Sequence, residues 1–211
     1  MENKSVFKGT ALGLFGHVLL GSLLASVTCG IMAPWAVCHV AEYVASNTYV
    51  SGRQLEFKGT FGGLFGSYIK WFLLSIVTCG IYSFWLVGNM VKWMISNLHF
   101  ADNQGALTSE YAGSALSVFG YCFLSGLLTS VTCGIAAPWA IAMLLKNILS
   151  QSVIDGEKLT NDCNGGSFFV TYFVGLILSG ITCGIYSIWF AAKVVSWVVE
   201  HTSAPEAAPA E

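Results

Sequence analysis

Four times along the chain, a long apolar run is followed by a turn, a second apolar run and a short polar stretch. Residues 9–28 are mainly apolar, and the second run continues to about residue 46. The tetrapeptide Thr-Cys-Gly-Ile closes the first run at 28–31, 78–81, 132–135 and 182–185, at intervals of 50, 54 and 50 residues. Seven residues after each Thr stands a tryptophan: Trp35, Trp85, Trp139 and Trp189. Thirteen before it stands a phenylalanine: Phe15, Phe65, Phe119 and Phe169. A second level of repetition is visible. Copies one and three read Ala-Pro-Trp at 33–35 and 137–139, and copies two and four carry Tyr82 and Tyr186 four residues after the Thr. A unit of two copies has been duplicated.

Each copy predicts a helix, a turn and a second helix. Residues 9–28 would extend about 28 Å as a helix, close to the ~30 Å hydrocarbon core of a bilayer. Gly30 suits a left-handed helix end, and Pro34 and Pro138 suit a first helical turn. The expected fold is an all-α membrane protein: eight transmembrane helices in four tandem parallel helix-turn-helix repeats. The first four-helix unit covers 1–104 (repeats 5–53 and 54–104) and the second 105–202 (repeats 105–158 and 159–202). A disordered Ala-, Pro- and Glu-rich tail occupies 203–211. A second helix lying in the interface is the alternative to a second span. The polar stretch 47–57, centred on Ser51-Gly52, predicts a small hairpin or extended link, with 154–159 as its counterpart.

Composition supports the apolar reading. Of 211 residues, 55% are hydrophobic and 9% are charged, against roughly 25% charged in an ordinary soluble domain. A formal charge of -2 excludes a basic nucleic-acid binder. Recurrence of the Lys4/Lys8 run and its Thr-Cys-Gly-Ile inside the chain argues against a cleaved leader. The tip turns carry no charge, whereas Lys4, Lys8, Arg53, Lys58 and Lys158 lie at the other end of the repeat. The positive-inside rule then places the termini in the cytoplasm.

Candidate chemistry is sparse. Gly9, Gly13, Gly16, Gly59, Gly63 and Gly66 are candidates for close helix packing. Cys29, Cys79, Cys133 and Cys183 sit in the four turns. They are either small apolar turn residues or, if the turns converge, disulfide partners or a thiolate cluster; spacing without C-x-x-C pairs favours the first, so no metal is expected. The four tryptophans form an interfacial belt. His17 and His39 lie 11 residues before and after Thr28, at one depth, and can meet within one hairpin. Asn89 and Lys193 occupy the slot of His39, and Glu42 and Lys70 add charge inside the runs. Together these six residues predict a polar intramembrane layer.

Thr28 to Trp35, followed by Asn47-Thr48, Gly52-Arg53, Phe57 and Gly59-Thr60, resembles the YjgN family, bacterial inner-membrane proteins whose domain is of unknown function. The resemblance touches all four copies. It implies a multi-pass protein of the bacterial inner membrane and supplies no activity. This chain has Cys where the family has Leu, and fewer basic residues in its second helices. No nucleophile–base pair, phosphate loop or carboxylate dyad is present, so neither an enzyme nor a cofactor is expected. Two functions remain open: a pore or transporter for a small solute along the polar layer, or a self-associating structural protein that organises or shapes the membrane. The lipid bilayer and further copies of the chain are the expected partners.

Overall fold

The computed structural model describes residues 5–78, 82–102, 108–182, 184 and 186–204. The first half runs β1 (Val6–Phe7), α1 (Ala11–Val27), α2 (Ala33–Ser46), β2 (Thr48–Val50), β3 (Arg53–Phe57), α3 (Phe61–Val77), α4 (Ser83–Ser96) and β4 (Leu98–Phe100). The second half runs β5 (Glu110–Tyr111), α5 (Ala115–Val131), α6 (Ala137–Ser150), β6 (Ser152–Ile154) and β7 (Glu157–Lys158). It ends with β8 (Thr160–Asn161), α7 (Gly165–Ile181), α8 (Ser187–Glu200) and β9 (Thr202–Ser203).

Each helical hairpin is bounded by hydrogen bonds that its repeated residues supply. Thr10, Thr60, Ser114 and Asn164 cap the first helices by accepting from the backbone N–H of Gly13, Gly63, Ser117 and Gly166. At the far end α1 closes in a Schellman motif. Gly30 N–H donates to Ala25 O at 2.7 Å and Cys29 N–H to Ser26 O at 3.3 Å. The motif needs left-handed backbone at both Cys29 (φ 50) and Gly30 (φ 88), and Cys133 and Gly134 repeat it. The hydroxyl of Thr28 donates to Leu24 O at 2.7 Å and accepts from Met32 N–H at 3.1 Å. Thr78, Thr132 and Thr182 do the same toward Tyr82, Ala136 and Tyr186. The repeated threonine is therefore a clip between the two helices of each hairpin.

These boundaries correct the expected fold. Capping and the Schellman turn leave 17 residues in each first helix and 14 in each second. At 1.5 Å per residue these are about 25 Å and 21 Å long. Among the described residues no helix is long and apolar enough to cross a membrane. The expectation of eight transmembrane helices in an all-α membrane protein is overturned. With it go the multi-pass assignment, the inner-membrane location and the orientation drawn from it. The sequence count included the extended residues before each cap and the turn after each helix, which overstated the length.

Nor is the chain all-α. Strands two to five residues long pair antiparallel in the orders β1-β2-β3-β4, β5-β6-β7 and β8-β9. The expected hairpin at 47–57 is β2–β3, with Val50 opposite Arg53 across a Ser51-Gly52 turn at φ 50 and 81. Its counterpart is β6–β7, with Ile154 opposite Glu157 across Asp155-Gly156 at φ 49 and 81. Two consecutive positive φ values match a type I′ turn, which follows the strand twist.

Helices pack on their sequence neighbours, α1 on α2 through α7 on α8, and α8 packs back on α1. The hairpins thus close a ring, with all the sheets at the end opposite the Thr-Cys-Gly-Ile tips. Inside it, the best-buried position of each first helix is Leu14, Leu64, Val118 and Phe168, exposed at 5% or less. These are one residue before the repeated phenylalanines. The halves interlock at the sheet end. Ser5 Oγ donates to Thr202 O and accepts from Ser51 N–H; Ser109 Oγ donates to Leu98 O and accepts from Asp155 N–H. The two sets are related by the duplication, so each half begins by bonding to the end of the other.

Candidate functional site

The structure divides the expected polar layer. His17 and His39 meet inside the first hairpin, ring centroids 4.6 Å apart and edge to face. His39 also stacks on Trp35 at 4.9 Å, and His17 lies 4.6 Å from the Tyr43 ring. The Tyr43 hydroxyl accepts Thr10 N–H at 3.0 Å, which holds the ring over the start of α1. The buried Nδ1 of His17 has no hydrogen-bond partner among the described residues. His39 and Glu42 border a recess of about 390 Å³ with Trp35, Lys58 and Thr60. Lys193 is exposed on α8, donating to Tyr186 Oη at 3.1 Å, and Lys70 is exposed on α3. Asn89 is half-buried on α4. Equal depth along the repeat distributes these six residues around the ring instead of gathering them on a shared path.

Of the turn cysteines, Cys29 and Cys133 are free and exposed; Cys79 and Cys183 lie outside the described residues. No metal-holding group of His, Cys, Asp or Glu exists among the described residues. The other thiols are poor nucleophiles. Burial raises the pKa of Cys38, with Glu42 adding to it, and burial raises that of Cys122. Cys163 is pushed up to about 11 by burial and by Asp162. Maleimide labelling of the folded chain should therefore modify Cys29 and Cys133 at least roughly tenfold faster than Cys38 and Cys163. Peptide mapping would read the rates, and equal rates would contradict this packing.

Two of the six expected packing glycines, Gly13 and Gly59, meet a side chain of another helix. A side chain at Gly9 would strike Phe7 of the preceding strand, at Gly59 both Phe57 of the preceding strand and Trp93 of α4, and at Gly13 the Tyr43 hydroxyl of α2. Gly16 and Gly66 face open space, and Gly63 meets only its own cap, Thr60. Close helix approach also occurs at Gly21 against Ala36, Gly88 against Ala115, Gly165 against Trp139 and Gly175 against Phe190. The G-x-x-x-G spacing marked the glycines near the caps and missed these. The tryptophans join one hairpin to the next: Trp85 stacks on Phe119 at 6.2 Å and Trp139 meets Phe169 at 5.1 Å. Trp85, Trp139 and Trp189 keep about two-fifths of their surface exposed.

At the centre of the ring lies a cavity of about 950 Å³, within the ~300–1,000 Å³ of small-molecule sites. Its wall is α2 along its length, one face of α1, and the inner faces of α4, α6 and α8. Val50, Leu55, Phe57, Ile154 and Leu159 form its floor from the sheet end. None of the six polar-layer residues lines it, nor does any charged side chain. Three hydroxyls reach it, and each donates to its own backbone: Ser22 to Leu19 O at 2.9 Å, Thr48 to Val44 O and Thr202 to Val198 O, both at 2.7 Å. Water entering would find no free side-chain donor. The arrangement suits an apolar occupant. No family model, curated protein or solved structure matches the chain.

Proposed function

We propose that the chain is a non-catalytic structural protein that associates with a lipid surface, and with further copies of itself, through its helix-tip end. One observation carries the proposal. The last residue of every first helix, Val27, Val77, Val131 and Ile181, is exposed at 82%, 81%, 75% and 73%. The same apolar position is left open four times, beside turns without charge. Among the described residues the four ion pairs lie at the sheet end or beside it, among Arg53, Asp102, Glu157, Lys58, Glu56, His99 and Asp155. A molecule with one apolar pole and one charged pole lowers its free energy by burying the first. The outer faces of α1, α5 and α7 extend this surface with Leu23, Phe123, Leu127 and Ile177, each more than half exposed. The central cavity is lined by none of the polar residues that suggested a solute path, which favours the surface reading.

Lipid flotation tests the proposal. Burying a Val or Ile side chain contributes about 1.5 kcal/mol, roughly tenfold in partition per site. The double substitution Val27→Asp with Val131→Asp should reduce partition into phosphatidylcholine vesicles about a hundredfold or more. Wild-type protein that stays monomeric in buffer and ignores vesicles would refute the proposal, as would undiminished flotation of the folded double variant.

A further inference from the structure

We infer that the central cavity is a binding site for one long alkyl chain, the hydrocarbon tail of a fatty acid or lipid, entering tail-first from the helix-tip end. This goes beyond surface association and does not rest on it, because the cavity lies inside the ring and its lining is separate from the exposed tip positions.

Three observations point to this ligand. The lining is aliphatic at every level: Ala33, Ala36 and Ile141 toward the tips, Val40 and Leu145 midway, Val198 near the sheet end. It offers neither a charge nor a free hydroxyl donor, so it cannot orient a polar or ionic ligand, and shape and dispersion are all it provides. Second, the lining is asymmetric along the ring axis. Strand residues form its floor, while no described residue of the four tip turns contributes to its lining. This asymmetry favours entry from the tip end, with any polar head left outside. Third, its walls follow α2 from Ala33 to Ala45, so the site is deep along the ring axis. A 14-residue helix is about 21 Å long. A deep site lined almost entirely by apolar side chains matches a flexible hydrocarbon chain better than a polar or ionic ligand.

The sequence holds the cavity open by a size pattern. The α2 face carries Ala33, Ala36, Val37, Val40, Ala41 and Val44, small side chains at the three- and four-residue spacing of one helical stripe. Larger residues there would meet α6 and α8 and fill the ring.

The test uses the delipidated full-length chain with cis-parinaric acid, kept below its micelle-forming concentration and without vesicles. One saturable site per chain is expected, with palmitate displacing the probe and butyrate failing to do so. Val44→Trp and Leu145→Trp should each weaken binding at least tenfold while the helical circular-dichroism signal stays unchanged. Should either variant fail to fold, native mass spectrometry of the wild type after palmitate loading provides the second measurement, with one retained adduct expected. Displacement by palmitate alone assigns a free acid; displacement by lysophosphatidylcholine as well assigns the shared tail with its head outside. Val27→Asp with Val131→Asp should bind the probe normally even where vesicle association is lost. No saturable uptake, no retained adduct, or binding unaffected in folded Trp variants would overturn the inference.

Discussion

Replacing Asp155 with alanine should lower folding stability by about 3 kcal/mol, read from urea unfolding followed by circular dichroism. The Asp155 side chain is 2% exposed and serves both halves of the molecule. One oxygen accepts Phe100 N–H at 2.8 Å, and the other lies 2.7 Å from His99 Nδ1 and 3.4 Å from Ser109 Oγ. A carboxylate only accepts, so the imidazole Nδ1 is the donor. Alanine leaves the buried Phe100 N–H without an acceptor, a loss of about 1–3 kcal/mol. It also adopts φ 49 at a cost of about 1 kcal/mol more, where Asp is tolerated. The duplication supplies the control. The equivalent residue, Ser51, sits at φ 50 and accepts Ala204 N–H on its hydroxyl at 3.1 Å. Asp155→Ser should thus retain the acceptor and lose the His99 and Ser109 contacts, costing about half as much. An alanine variant within 1 kcal/mol of wild type, or a serine variant as damaged as alanine, would contradict this account.

The repeat was legible because it is written in identities at constant spacing, and the structure uses those identities locally. Thr28 clips, Gly30 turns left-handed, and Trp139 reaches the Phe of the next copy. The meeting of His17 and His39 followed from equal counts on either side of one turn, since antiparallel helices bring equal distances together. What the sequence did not reveal depends on where helices stop and how hairpins close. Apolar content continues past Thr10 and Thr28, so hydropathy alone runs through the caps that shorten α1 to 17 residues. Strands of two or three residues, such as Val6–Phe7 or Thr160–Asn161, are too short for an alternating pattern to register. The cavity was invisible because it belongs to closure. The small residues of α2 resemble any packing face until α8 meets α1 and leaves them lining a space. The further glycines at close approach, Gly21, Gly88, Gly165 and Gly175, lack the G-x-x-x-G partner that drew attention elsewhere.

Arg53→Glu should be at least as damaging as Asp155→Ala, at about 4 kcal/mol, and the exchange Arg53→Glu with Glu157→Arg should recover more than half of that loss. Arg53 Nη1 lies 2.7 Å and 2.8 Å from the two Glu157 oxygens, Nε is 2.8 Å from Asp102, and the guanidinium rests 3.9 Å from the centre of the Phe100 ring. Burial opposes its charge, but the hydrogen bonds it donates to both acids outweigh this and hold its pKa above the usual value. Glutamate at 53 removes a cation that is 15% exposed and sets three carboxylates together, so repulsion adds to the lost pair. Arg53 and Glu157 are separated by 104 residues, the period of the duplication, and so occupy one place in the two halves and face each other across the relating axis. Exchanging them returns the same pair in the opposite sense. Only Asp102 and the Phe100 ring are lost to the new arginine, and Asp102, 55% exposed, contributes little. Its carboxyl is held below the ordinary 3.8, first by the hydrogen bond from Arg53. That contribution is complete above pH 3.8 and disappears as pH falls through the lowered value, so unfolding at neutral pH measures the full effect. In a double-mutant cycle the coupling between 53 and 157 should reach about 2 kcal/mol. Additive single losses would mean that the halves are not joined through this pair, and the ring would need another explanation for its closure at the sheet end.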